Sequence, residues 1–149
     1  MDRPDGGAEV VQRLLRALNE HNVEGVVACF TEDYVNETPV HPQRGFLGNQ
    51  QVRRNWTQIF AGVPDLCAEL PRLTIDGDTA WTEWEMSGTR AHGLAFLMRG
   101  VVIFRIADGL IASARFYLEP VENTSGDVED HTLRVAGEAD LAESAGVTS

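Results

Sequence analysis

Four side chains early in the sequence could do chemistry on a small molecule. Tyr34, Asn36 and Thr38 fall at alternate positions of one extended segment, so they share a face. A phenol there could donate to a carbonyl or epoxide oxygen, and an amide beside it could orient the ligand or a water. Glu37 has the opposite parity, but a bulge near Pro39 would turn it inward, where burial would raise its pKa toward that of a working base. His92, beside Arg90 in a loop between two later strands, titrates near neutrality and suits proton shuttling. His41 lies in a Pro-flanked loop placed to cover the same opening, and Thr82 could assist from inside. Cys29 and Cys67 are isolated and read as small core hydrophobes. The sequence shows no metal-ligand cluster, phosphate loop or nucleophile triad. No metal and no cofactor is expected.

The elements that must position these groups follow from periodicity. Residues 1–7 read as a flexible leader, with Pro4, Gly6 and Gly7. Val10, Val11, Leu14, Leu15 and Leu18 recur at helical spacing, and that helix ends near His21 and Asn22. A short second helix is predicted over 23–30. Tyr34 to Val40 reads as extended, and a loop runs on through Gly48. A third helix presents Val52, Trp56, Ile59 and Phe60 on one face, closed by Gly62 and Pro64. From Leu66 the period changes to two. Strands are predicted over 66–75, 79–90, 96–107 and 110–121, with Asp76-Gly77-Asp78 and Asp108-Gly109 as hairpin turns. Helices first and a meander second indicate an α+β domain, with a curved sheet wrapped on the helices.

Alternation sorts the sheet into two faces. Thr82, Trp84, Met86, Val102, Phe104 and Phe116 fall on the side that packs against the helices. Trp81, Glu83, Glu85, Arg99, Arg105, Arg115, Tyr117 and Glu119 fall on the other. There Glu83 and Glu85 read as a ladder paired with arginines rather than as a catalytic carboxylate pair. Exposed aromatics beside paired charges suggest a homodimer through this outer face.

Charge excludes other partners. Twelve basic against 23 acidic side chains leave a net charge of −11 over 149 residues, and no basic patch dense enough to track phosphates occurs. Nucleic acid and membrane are therefore not expected partners, and a cytoplasmic location is expected. Residues 122–149 hold seven acids and one base, with few large apolar residues to offset the entropy of ordering. They read as an acidic tail, mostly disordered or loosely helical.

The order of elements resembles the nuclear transport factor 2-like superfamily, and within it the SnoaL-like polyketide cyclases. Ketosteroid isomerases and limonene epoxide hydrolases are cousins. The resemblance rests on Ala17-Leu18-Asn19, Asp33-Tyr34-Val35-Asn36, the third helix led by Gly48, Gly88-Thr89-Arg90, and the run from Phe104 to Ile111. It covers about residues 8–121. It implies a cone-shaped antiparallel or mixed sheet whose open end admits a small hydrophobic molecule, and dimers through the outer sheet face. It also implies cofactor-free cyclisation, isomerisation or epoxide opening. Tyr34, Asn36, Glu37 and His92 would be the catalytic candidates. Thr38, Trp56, Phe60, Thr82, Trp84, Met86, Val102, Phe104 and Phe116 would contact the ligand. The family's acid and base positions map to Thr38, Gly100 or Val101, Val102 and Phe116, none of them an acid or base here. The alternative is a non-catalytic binding module or a dimeric interaction domain.

Overall fold

The change of period near Leu66 marks the layout of the computed structural model, which describes residues 6–122 and 126–137. Helix α1 (Gly6–Asn19) buries Val10, Val11, Leu14 and Leu18. It starts at Gly6, so the last two residues of the expected leader are helical. Residues 1–5 lie outside the described part. Asn19 then ties the helix end to the sheet by a reciprocal pair: its Nδ2 donates to the Ala68 carbonyl at 3.0 Å, and its Oδ1 accepts from the Ala68 amide at 2.7 Å.

Helix α2 spans Val23–Val27, three residues shorter than its periodicity suggests, with the Asn22 side chain as N-cap. Phe30 belongs instead to strand β1 (Phe30–Glu37), because β1 pairs in parallel with the last strand of the chain, and Phe30 meets Ile111 there. Sheet pairing has overridden local helical spacing. A short 3₁₀ turn (Pro42–Arg44) and strand β2 (Phe46–Leu47) follow, where a loop was expected. Helix α3 runs Asn49–Gly62.

Strands β3 (Cys67–Asp76), β4 (Thr79–Thr89), β5 (Ala95–Ala107) and β6 (Leu110–Pro120) form the antiparallel meander. The sheet order is β2-β1-β6-β5-β4-β3, an open, curved, mixed sheet with β2 and β3 at its edges. Pro71 sits where the β3 register slips between Glu69 and Arg72, at an edge where a missing amide donor is tolerated. Asp108 and Gly109 both take positive φ, 53° and 77°, as a two-residue hairpin requires. Gly100 holds φ at 157°, and a Cβ there would stand 2.1 Å from the Tyr117 carbonyl oxygen. Only glycine allows β5 and β6 to approach so closely. Residues 128–137 are helical, and all but the last are exposed. The rest of the expected tail, 123–125 and 138–149, lies outside the described residues.

Candidate functional site

Helix α3, strand β1 and the far ends of β4, β5 and β6 enclose a cavity of about 310 Å³. Its wall is mainly apolar, with Trp56 and Ile59 from α3, Met86 from β4, and Phe116 and Leu118 from β6. Such a wall with a few convergent polar groups is the usual form of a small-molecule site.

Two of those polar groups come from β1. The register of β1 shifts between Phe30 and Val35, before the site. From there to Glu37 simple alternation holds, so Tyr34 and Asn36 point inward and Val35 and Glu37 outward. Tyr34 is 1% exposed and wedged edge-on against Phe30 and Phe46, at ring distances of 4.7 and 5.9 Å. Its hydroxyl donates to Asn36 Oδ1 at 2.7 Å. Burial pushes the Tyr34 phenol far above its ordinary pKa, so it is a neutral donor with its proton committed to Asn36. The amide nitrogen of Asn36 has no acceptor among the described residues, and Asn36 lines the cavity. The Tyr34 hydroxyl, expected from sequence to donate to a ligand, is thus bonded to Asn36 in this structure.

Thr38 also lines the cavity, but its hydroxyl donates to the His41 carbonyl at 2.6 Å and so organises the following loop. Trp56, Met86 and Phe116 line the cavity as expected. Phe60, Thr82, Trp84, Val102 and Phe104 do not, because they belong to the core behind it. Phe60 stacks on the His21 ring at 4.5 Å, while His21 Nε2 bonds the Leu66 carbonyl at 2.9 Å. The Thr82 hydroxyl donates to the Val102 carbonyl at 2.6 Å and accepts from Trp84 Nε1 at 2.7 Å, which satisfies both polar groups in the core. Its hydroxyl is thus taken up within the core.

Glu37 and His92 stand apart from this cavity. No bulge near Pro39 reverses the parity of Glu37, which faces a shallow depression shared with Arg115. His92 is exposed on the turn between β4 and β5, in a separate hollow that it shares with Arg90. The Arg90 guanidinium donates to the Ala95 carbonyl at 2.9 Å and lies 5.4 Å from the Phe96 ring centre, so it braces that turn.

Three polar residues of the wall were not foreseen there: Arg44, Asn55 and Glu119. Glu119 was assigned to the outer face by alternation. The ladder pairs it there with Arg99, near the end of β6, where it also touches the cavity's edge and its carboxylate reaches His41 Nε2 at 2.9 Å.

On the outer face Arg99 donates to Glu85 at 2.8 Å, and Arg72 lies 3.8 Å from Glu83. Trp81 and Val101 are exposed beside them. Among the described residues no group of three or more His, Cys, Asp or Glu could hold a metal ion, and no helix is long and apolar enough to cross a membrane.

Residues 11–114 match the SnoaL-like domain family. Several solved structures share the fold. A protein described as a SnoaL-like polyketide cyclase from Jannaschia sp. CCS1 superposes with a TM-score of 0.67 at 19% identity, covering 80% of this chain and 91% of that one. TsrD from Streptomyces laurentii gives 0.66 at 25% identity over 80% and 90%. A limonene-epoxide-hydrolase-like enzyme from M. tuberculosis gives 0.66 at 20% identity over 76% and 83%. No curated protein matches the chain.

Proposed function

Because the chain belongs to the SnoaL-like domain family, we propose that its cavity binds a small, largely hydrophobic molecule that carries one hydrogen-bond-accepting oxygen, and turns it over without a cofactor. The observation that carries this reading is the Tyr34–Asn36 pair, the arrangement that leaves an amide N–H facing an apolar cavity. A donor fixed in advance and shielded from water stabilises developing negative charge on a carbonyl or epoxide oxygen without reorganising. Cyclisation, isomerisation and epoxide opening all build such charge. The cyclase and epoxide hydrolase among the structural neighbours support the range of chemistry and leave the substrate open.

Native mass spectrometry of the protein from its own source tests the reading, with released molecules identified. A stoichiometric hydrophobic passenger with a carbonyl or epoxide oxygen, lost in Asn36→Leu, is the expected result. A passenger retained equally by Asn36→Leu would remove the amide from the reading. Binding in Asn36-intact protein with no conversion would favour a binding module.

A second reading concerns assembly. Trp81 is 48% exposed and Val101 37% on the outer sheet face, beside the Arg99–Glu85 pair. A homodimer through that face would cover them, and Trp81→Glu would then shift the molecular mass in solution to that of a monomer.

A further inference from the structure

The polar groups that line the cavity are unevenly satisfied, and what they leave open is mostly donor. The hydroxyls of Tyr34 and Thr38 are taken by Asn36 and by the His41 carbonyl. Glu119, at the cavity's edge, already accepts from His41 Nε2. Against these, the amide nitrogen of Asn36 has no acceptor among the described residues. Asn55 on α3 is in the same state: its Oδ1 accepts from Gln51 Nε2 at 2.7 Å, and its own amide nitrogen meets no acceptor there. Arg44 adds a charge. It lines the cavity at its exposed rim and forms no ion pair among the described residues, while Arg53, Arg72 and Arg99 each meet a glutamate. Its backbone is held in place. Arg44 closes the 3₁₀ turn, and its amide donates to the His41 carbonyl at 2.9 Å. Gly45 beyond it lies so close to β1 that a Cβ would stand 2.9 Å from the Asn36 carbonyl oxygen. The turn thus seats Arg44 against the strand that bears Asn36.

We infer that Arg44 makes this cavity selective for an anion: a compact apolar body that carries a carboxylate, with the body inside and the carboxylate at the rim on Arg44. The inference rests on the cavity being a ligand site, and it adds a charged group to the neutral accepting oxygen already assigned to Asn36. A guanidinium offers two parallel N–H groups that match the two oxygens of a carboxylate, and such charge-assisted pairs are stronger than neutral ones. The charge of the ligand is single. Arg44 is the one cation among the described residues that line the cavity, and Glu119 stands at the same edge, so a doubly charged phosphate would be left half-compensated. The net charge of −11 on the whole chain does not cancel the contact, because charges beyond about 8 Å are largely screened at physiological salt. A volume of about 310 Å³, at the lower end for small-molecule sites, keeps the body compact. The amides of Asn36 and Asn55 serve further oxygens of the same molecule without adding charge.

A matched pair of probes tests this. 4-Nitrocinnamate and 4-nitrocinnamamide share a flat apolar body and differ by one charge, and the nitro group quenches a nearby tryptophan. With the full-length protein, affinity is read by titration calorimetry, and occupancy of the cavity by quenching that is lost in Trp56→Phe. The wild type is expected to bind the carboxylate about 10-fold or more tightly than the amide, the scale of one charge-assisted contact. Arg44→Gln should bring the carboxylate down to the level of the amide and leave the Kd of the amide unchanged. Arg44→Lys, which keeps the charge but not the fork, should hold part of the preference, and it serves as the second variant if Arg44→Gln fails to fold. Arg72→Gln removes the same charge from β3, at the opposite edge of the sheet from β2, and should leave the preference intact. Equal Kd values for the two probes in the wild type overturn the anion selectivity and leave the cavity reading standing. So does a preference that survives Arg44→Gln or falls as far in Arg72→Gln. Absence of Trp56 quenching by either probe overturns the cavity reading itself and the selectivity with it.

Discussion

The inner and outer faces of the same strands hold their polar groups by opposite means. Inside, two donors each have a single neutral partner in an apolar setting: Tyr34 on Asn36, and Trp84 on Thr82. Outside, charges pair across the ladder in water, as Arg99 does with Glu85. A buried polar group that loses its partner suffers the full cost of desolvation, whereas an exposed ion pair is replaced by water at little loss. The inner face is therefore specified residue by residue, and the outer face only by charge pattern. That is why a shaped cavity sits on one and a substitution-tolerant, charge-paired surface on the other.

Substitutions on the two faces should separate widely. Trp84→Ala removes a fully buried indole and the hydrogen bond it gives Thr82, so thermal or denaturant unfolding should show a loss of about 3–5 kcal/mol. A loss below about 1 kcal/mol, the level expected of a surface site, would erase the distinction drawn here. Tyr34→Phe comes next, at about 1 kcal/mol near neutral pH from the lost hydrogen bond. It also has a signature in alkali. Burial raises the Tyr34 pKa in the folded protein, so above the unfolded value of about 10 the unfolded chain releases a proton that the folded one keeps. Stability should therefore fall as pH rises past that point, and the fall should be shallower in Tyr34→Phe. Identical alkaline limbs in the two proteins would contradict a buried, neutral phenol. Smallest of all is Glu85→Gln on the outer face, about 0.2–1 kcal/mol at low salt. In molar salt, where the screening length falls to about 3 Å, the difference should all but vanish.

Much of this architecture was legible in the sequence. The 3.6-residue spacing of Val10 to Leu18 located α1, and Asp108-Gly109 located the β5–β6 turn. The alternation of Thr82, Trp84 and Met86 named the buried side of β4. The same rule carried Tyr34 and Asn36 inward. It stopped working where long-range geometry took over. Alternation says which side a residue faces but not how deep it lies, so Trp84 and Phe104 read as cavity wall when they are core. It cannot see which residues meet at the end of a strand, which hid the contact of Glu119 with His41. It also cannot tell which of two facing polar groups gives the proton, so it did not show the Tyr34 hydroxyl bonded to Asn36. Phe30 was lost to α2 because its deciding partner, Ile111, lies at the other end of the domain.

That last pairing has a consequence for how the protein comes to be made. The strand that carries Tyr34 and Asn36 is among the first to leave the ribosome, and the neighbour it needs, β6, is the last strand of the sheet. Loop closure over nearly the whole domain must come first, a slow class of contact. The binding wall thus cannot exist in any nascent chain that stops short of Pro120. A truncated product would hold α1 and much of the meander but no cavity, so the cavity is itself a sign of complete synthesis of the domain.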